Sequence, residues 1–193
     1  MSSREKILAA VKNNQPALQQ LPVLEDLTPV QYQDKFEQFT NVLKTIGGNV
    51  VVMNSMDGIA YYVKNNFGST HIVTTINELP GIQQLDNTLD PHFLENIELA
   101  VIKVLLGVAE NGAVWVTDAA IKIRALPFIC QHLAVVLNKK DIVHNMHEAY
   151  ENIGNNGYDF GVFIAGPSKT ADIEQSLVLG AHGPKTMTVF VIE

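Results

Sequence analysis

Short runs of apolar, often β-branched residues recur along this chain with helix-like segments between them, and that alternation constrains the fold more than any other feature. Asn49 to Met53 carries three consecutive valines, and His71–Thr75, Ala113–Thr117, Leu133–Leu137, Phe160–Ala165 and Thr188–Ile192 read as strands in the same way. The first helix of the body is expected after Thr28-Pro29, because proline suits a first helical turn. Phe36, Phe39, Val42, Leu43 and Ile46 then recur at helical spacing until Gly47-Gly48 stops the pattern. Gly58–Asn66, Ala119–Leu126 (ended by Pro127) and Asp141–Ile153 are further predicted helices, while Ile97–Val104 fits either strand or helix. Pro80, Gly81, Asp86, Asn87, Asp90 and Pro91 mark a loop. Strands alternating with helices predict an α/β fold, a mostly parallel sheet with helices on both faces. The fully apolar Val50-Val51-Val52 fits a strand buried on both sides.

An N-terminal helix precedes this body. Ser2 and Glu5 have capping-box spacing, and Ile7, Leu8 and Val11 share one face of a helix over 3–12. Asn13-Asn14-Gln15-Pro16 and Gln19-Gln20-Leu21-Pro22 break the pattern, so 13–27 reads as a linker. The division expected is a helix and arm over 1–27 and an α/β domain over 28–193. The helix is expected to pack on the body or on another subunit.

Composition narrows the function. Among 193 residues, 13 basic face 20 acidic ones, for a formal charge of −7, so the broad cationic footprint of a nucleic-acid binder is absent. A local basic pocket for a small anionic ligand survives that argument. The single cysteine, Cys130, permits no intrachain disulfide and no cysteine-only metal cluster within one chain. The start lacks a signal peptide's apolar run, and the stretch Leu99–Ala109, broken by Lys103, falls far short of the ~20 residues that span a bilayer. A soluble cytoplasmic protein with no membrane association is expected.

The stretch most suggestive of chemistry is Gly166-Pro167-Ser168-Lys169-Thr170-Ala171-Asp172-Ile173-Glu174, followed by Gly180-Ala181-His182-Gly183-Pro184. It follows a predicted strand, where ligands sit in open α/β folds. Two hydroxyls, a cation and several glycines can cradle an anion, and nearby carboxylates with His182 can exchange protons. The bland alternative is a tight loop with a capped helix start. A phosphate-binding P-loop is excluded, because Pro167-Ser168 interrupt the required Gly-Lys-Ser/Thr.

Glu110, in Ala109-Glu110-Asn111-Gly112-Ala113, is placed to act as a nucleophile or general base, or simply to sit in a solvated Asn-Gly turn. Arg124, at an apolar helix end, is suited to a carboxylate or phosphate, or to an ion pair. His144 and His147, with Glu148, would share one helix face, with too few ligands for a zinc site of recognised spacing. His132 reads as a satisfied core or edge histidine. No dinucleotide-binding glycine loop and no nucleophile elbow occurs.

From Gly166 to Glu174, and again at His182-Gly183-Pro184, the chain resembles the LUD domain family, with the size and layout of its lactate utilization protein C type. The family pattern Gly-Pro-Ser-Arg/Lys-Thr-Ala-Asp-Ile-Glu, then Leu-Val-x-Gly-x-His-Gly-Pro, is matched throughout. The family's central Ala-Glu-Thr-Gly-Thr is matched in part, with Asn111 and Ala113 replacing its two threonines. Arg124 before a proline, His132 before a strand and Lys6-Ile7-Leu8 also fit. The resemblance covers nearly the whole chain and is strongest in its second half.

It implies a fold like the NagB/RpiA/CoA transferase-like superfamily and a role in oxidising L-lactate to pyruvate beside iron–sulfur partner subunits. Any iron–sulfur cofactor is then expected on those partners, with none in this chain. Laid on the matched motifs, Glu110, Asp172 and His182 are the candidate catalytic residues. Gly112, Arg124, Gly166, Ser168, Lys169, Thr170, Glu174 and Gly183 are the candidate ligand-binding ones. Lys169 and Arg124 would hold an anionic group, Ser168 and Thr170 would orient it, and Asp172, Glu174 or His182 would manage protons. Two alternatives stand beside this. Glu110-Asn111-Gly112 spells the turn that carries the acyl-accepting glutamate of CoA transferases, which would suit a stand-alone enzyme or binding protein for an acyl-CoA or phosphorylated small molecule. A non-catalytic interaction module is the other.

Overall fold

The computed structural model describes residues 2–19, 28–68, 71–85, 90–154, 157–170 and 180–193. In chain order the first elements are α1 (Ser3–Asn13), α2 (Lys35–Thr45), β1 (Asn49–Met53), α3 (Met56–Asn66), β2 (Ile72–Thr74), β3 (Gln83–Gln84) and β4 (Leu99–Lys103). Then come β5 (Leu106–Val108), β6 (Val114–Thr117), α4 (Asp118–Ile121), α5 (Leu126–Ile129), β7 (His132–Asn138) and β8 (Ile142–Val143). The last are α6 (Met146–Ile153), β9 (Gly161–Ile164) and β10 (Thr186–Ile192).

The main sheet has six strands in the order β1-β10-β7-β4-β2-β3, each neighbouring pair parallel. Alternate side chains along a strand point to opposite faces, and here both faces are apolar. Leu133, Val135 and Leu137 of β7 join one core with Phe39 and Leu43 of α2, while Ala134 and Val136 join a second core with Ile59, Ala60 and Val63 of α3. Helices therefore cover both faces, as the alternation predicts.

A second sheet, β8-β5-β6-β9, lies on the α2 side, with β5–β6 and β6–β9 antiparallel and β5–β8 parallel. Its inward residues Val114, Val116 and Ile142 complete the first core. Its outward residues Leu106, Val108, Trp115 and Val143 pack under Ala149 and Ile153 of α6. The alternation of strands and helices predicts one sheet, and this second one departs from it.

Several expected boundaries move. The helix expected after Thr28-Pro29 starts at Lys35, because Asp34 Oδ1 accepts from the amides of Phe36 (2.8 Å) and Glu37 (3.0 Å). The segment before it is tied to the start of α6 instead. Tyr32 N donates to His144 Nδ1 (3.0 Å), and Asn145 Nδ2 donates to the Val30 carbonyl (2.9 Å). Val50-Val51-Val52 is not buried on both sides, because β1 is an edge strand and Val52 is 45% exposed. Ile97–Val104 resolves as the strand β4.

Pro127 does not end a helix over Ala119–Leu126. It lies in the first turn of α5, and α4 has already stopped at Lys122, whose φ is +60°. Asp141–Ile153 is not one helix either. Asp141 closes a 3₁₀ turn, Ile142–Val143 pair with β5, and Asn145 caps α6 by accepting from Glu148 N (3.0 Å).

Helix α1 forms with its capping box intact, Glu5 N donating to Ser2 Oγ (3.2 Å) and Ser2 N to Glu5 Oε2 (2.6 Å). None of its residues is buried, and Ile7, Leu8 and Val11 face outward from the described body. Among the described residues no helix is long and apolar enough to cross a membrane.

Candidate functional site

Two glycine turns meet on the last turns of α2. Gly112 lies in the β5–β6 hairpin, where Val108 N donates to the Ala113 carbonyl (2.8 Å) and Asn111 Oδ1 accepts from Ala113 N (3.0 Å). Its φ is +70°, and a Cβ there would stand 3.2 Å from both Cα and N of Leu43. Gly166 has φ +72°, and its Cβ would stand 3.1 Å from the Ile46 carbonyl oxygen. Left-handed backbone and close approach both require glycine at these positions.

The motif loop is built outward from Gly166. Ser168 N donates to the Pro184 carbonyl (2.9 Å), and Gly180 N donates to the Ser168 carbonyl (3.1 Å). A Cβ on Gly183 would press to 3.0 Å from the Ser168 Cβ. So Gly166, Ser168, Gly180 and Gly183 come together, carrying Lys169, Thr170 and His182 with them. Gly112 shares Ile46 with Gly166 as a neighbour, while Glu110 turns its side chain the other way, toward α6. The exposed Lys169 passes close to Gly47 at the C-terminal end of α2, where a cation suits the helix dipole. His182 is exposed. Asp172 and Glu174 lie outside the described residues.

The loop's position differs from expectation. It does follow a strand, but that strand is β9 of the second sheet. The chain then returns through Lys185, whose amide donates to the Gln131 carbonyl (2.8 Å), to the start of β10. The loop thus sits at the amino ends of the main-sheet strands, opposite the edge where open α/β sheets usually hold ligands.

Glu110 caps a helix. Its Oε2 accepts from Met146 N at the start of α6 (3.0 Å), and its own amide donates to the His144 carbonyl (3.0 Å). A carboxylate at a helix N-terminus stabilises by about 0.3–1 kcal/mol. Glu110→Ala is therefore expected to lower Tm by about 2 °C, with Glu110→Gln, which keeps the acceptor, losing less. Equal melting of all three forms would remove the capping role.

Arg124 stands apart from this cluster. Its Nη2 is 3.7 Å from Asp118 Oδ2, and its guanidinium lies 5.4 Å over the Phe160 ring. Val114 pairs with Ile164 and Thr117 with Gly161, so Gly112 and Gly166 share one end of the second sheet and Asp118 and Phe160 the other. About 13 Å of strand separates the ends.

His144 and His132 are engaged structurally. His144 precedes α6, accepts from Tyr32 and donates its amide to Glu148 Oε2 (2.7 Å). His132 Nδ1 is 2.7 Å from Thr186 Oγ1, as a satisfied edge histidine should be. Among the described residues no group of three or more potential metal-ligating side chains occurs. Cys130 is buried, and burial pushes its thiol up to about 12.

A cleft of about 490 Å³ opens between the second sheet and α6, beside Trp115, Tyr158, Lys35 and Lys140. A shallower recess of about 560 Å³ adjoins it through Asp118 and Tyr158 and holds Lys122 and Arg124. Of all these residues only Arg124 stands out in the sequence. The others come from separate stretches of chain and share no motif.

A sequence model of the LUD domain matches residues 90–192, just over half of the chain. The chain belongs to the LUD domain family. As a LUD-domain chain it is similar to lactate utilization protein C of Geobacillus sp. (strain WCH70), at 25% identity over 201 residues, covering 98% of this chain and 79% of that protein. It is 29% identical over 122 residues to lactate utilization protein C of Shouchella clausii (strain KSM-K16), covering 59% of this chain and 53% of that protein. Several of these matches span only about half the length of the curated relatives. The crystal structure of a DUF162 family protein from Deinococcus radiodurans superposes with a TM-score of 0.66 at 16% identity, over 86% of this chain and 100% of that one. That likeness supports the LUD α/β architecture described above.

Proposed function

We propose that this LUD-domain protein serves lactate utilization, as an accessory protein that takes part in oxidising L-lactate to pyruvate beside iron–sulfur partner subunits. The observation that carries the reading is the similarity to proteins named lactate utilization protein C, which extends over 98% of the chain in one case. The motif loop would hold a small anionic ligand, with Lys169 supplying charge, Ser168 and Thr170 orientation, and His182, Asp172 or Glu174 proton exchange. Electron transfer would fall to the partners' clusters.

Deleting the gene in its source organism is expected to abolish growth on L-lactate while leaving growth on pyruvate intact. Wild-type protein should restore growth, and Lys169→Ala should restore it poorly. Unimpaired growth of the deletion strain on L-lactate would overturn the reading.

A further inference from the structure

The strap of residues 28–34 roots the N-terminal arm, and one of its bonds to the start of α6 depends on a single proton. Tyr32 N donates to His144 Nδ1 (3.0 Å). A backbone amide can only donate, so Nδ1 must offer its lone pair and the ring's proton must sit on Nε2. Protonating Nδ1 sets N–H against N–H and turns the bond into a repulsion. Both residues are half-buried, and the Tyr32 ring stacks on the imidazole with 6.3 Å between centroids, so solvent replaces the lost acceptor only in part. The strap's other attachments are indifferent to that proton. Asn145 Nδ2 donates to the Val30 carbonyl (2.9 Å), and Tyr32 packs on the first core.

Charged groups face His144 from each element around it. Glu148 of α6 accepts from its main-chain amide (2.7 Å). Glu110 of the β5–β6 hairpin donates its own amide to the His144 carbonyl (3.0 Å). Asp34, Lys35 and Lys139 line the same recess, Asp34 capping α2 and Lys139 pairing with Glu193 (2.6 Å). The exposed His147 does not line it. Carboxylates and lysines ordinarily keep their charge between pH 5.5 and 7.5, whereas histidine ordinarily changes its own there.

We propose that His144 is a proton-operated latch on the N-terminal arm. Neutral, it holds the strap at Tyr32. Protonated, it releases the Tyr32 amide and loosens the root of the arm that carries α1. Helix α1 buries none of its own residues, so the strap governs how the arm leaves the body. The latch does not rest on the lactate-utilization reading.

Amide hydrogen exchange followed by NMR at pH 7.5 and 5.5 tests it, each rate being taken relative to an unstructured peptide at the same pH. Protection of the Tyr32 amide is expected to fall about tenfold at the lower pH, as a half-buried donor stripped of its acceptor implies. Leu43 of α2 and Val135 of β7 should keep theirs. His144→Asn, which offers an amide oxygen near the place of Nδ1 and does not titrate, should hold Tyr32 protection equal at both pH values. His144→Ala should show low protection at both. If the alanine variant melts early, wild type and His144→Asn carry the test alone. Unchanged Tyr32 protection in wild type, an equal fall at Leu43 and Val135, or a fall in His144→Asn matching wild type would overturn the latch.

Discussion

Gly112→Val is expected to destabilise the protein by about 3 kcal/mol, combining the left-handed penalty of a side chain with overpacking. Gly112 has φ +70°, and the added Cβ would meet the backbone of Leu43 at 3.2 Å. Backbone gives less readily than the end of a flexible side chain. The valine must therefore push the hairpin off α2, on whose next turn Gly166 carries the motif loop. Thermal melting should show a Tm lower by about 6–12 °C. Gly68→Val is the control, because nothing lies within 4 Å of a Cβ there. A Gly112→Val protein melting with the control would show that the hairpin does not depend on this contact.

The second large effect is alkaline. Burial raises the Cys130 thiol from 9.0 to about 12, against smaller opposing contributions from backbone hydrogen bonds. Below pH 9 both folded and unfolded chains hold the proton, and the group leaves stability independent of pH. Between pH 9 and 12 the unfolded chain releases it while the folded chain retains it. Stability then falls as pH rises, by about 1.4 kcal/mol per pH unit and about 4 kcal/mol in all. Urea unfolding of wild type and Cys130→Ala at pH 8, 9.5 and 10.5 isolates this group, since lysines and tyrosines titrate alike in both. The wild-type curve should fall more steeply. Parallel curves would mean that Cys130 reaches solvent in the folded state.

What the sequence made legible follows from how locally each feature is encoded. β1 was readable to the residue, because three consecutive valines follow directly on the Gly47-Gly48 stop. α1 was readable because its capping box is complete within four residues. Prolines misled, since Pro29 and Pro127 mark chain direction without saying whether a helix is beginning or ending. Asp34, which does start α2, looks like any other aspartate until its amide partners are placed. The second sheet was illegible because β4 and β5 merge in one apolar run, and the bend at Val104-Leu105 carries no glycine or proline. The motif loop and the Glu110 turn were found as motifs, and the structure sets them side by side. Glu110's bond to Met146 joins residues 36 positions apart and leaves no local trace. Arg124's separation from the loop depended on the strand register of β6 and β9, which no motif encodes.

The place of β10 has a consequence for how the chain is made. β10 is last in chain order among the described strands, yet it lies between β1 and β7, pairing Asn49 with Thr188 on one side and His132 with Thr186 on the other. As the polypeptide leaves the ribosome, β1 has no neighbour to join, and β7 lacks one of its two, until Thr186–Ile192 has emerged. The main sheet cannot close in stages. Its completion is one late, long-range event of the kind that folds slowly. Until then, valine-rich edges stand open to other nascent chains. A message read short of Thr186 would leave β1 a lone strand beside the remnant β7-β4-β2-β3, a quality-control substrate rather than a slightly shortened protein.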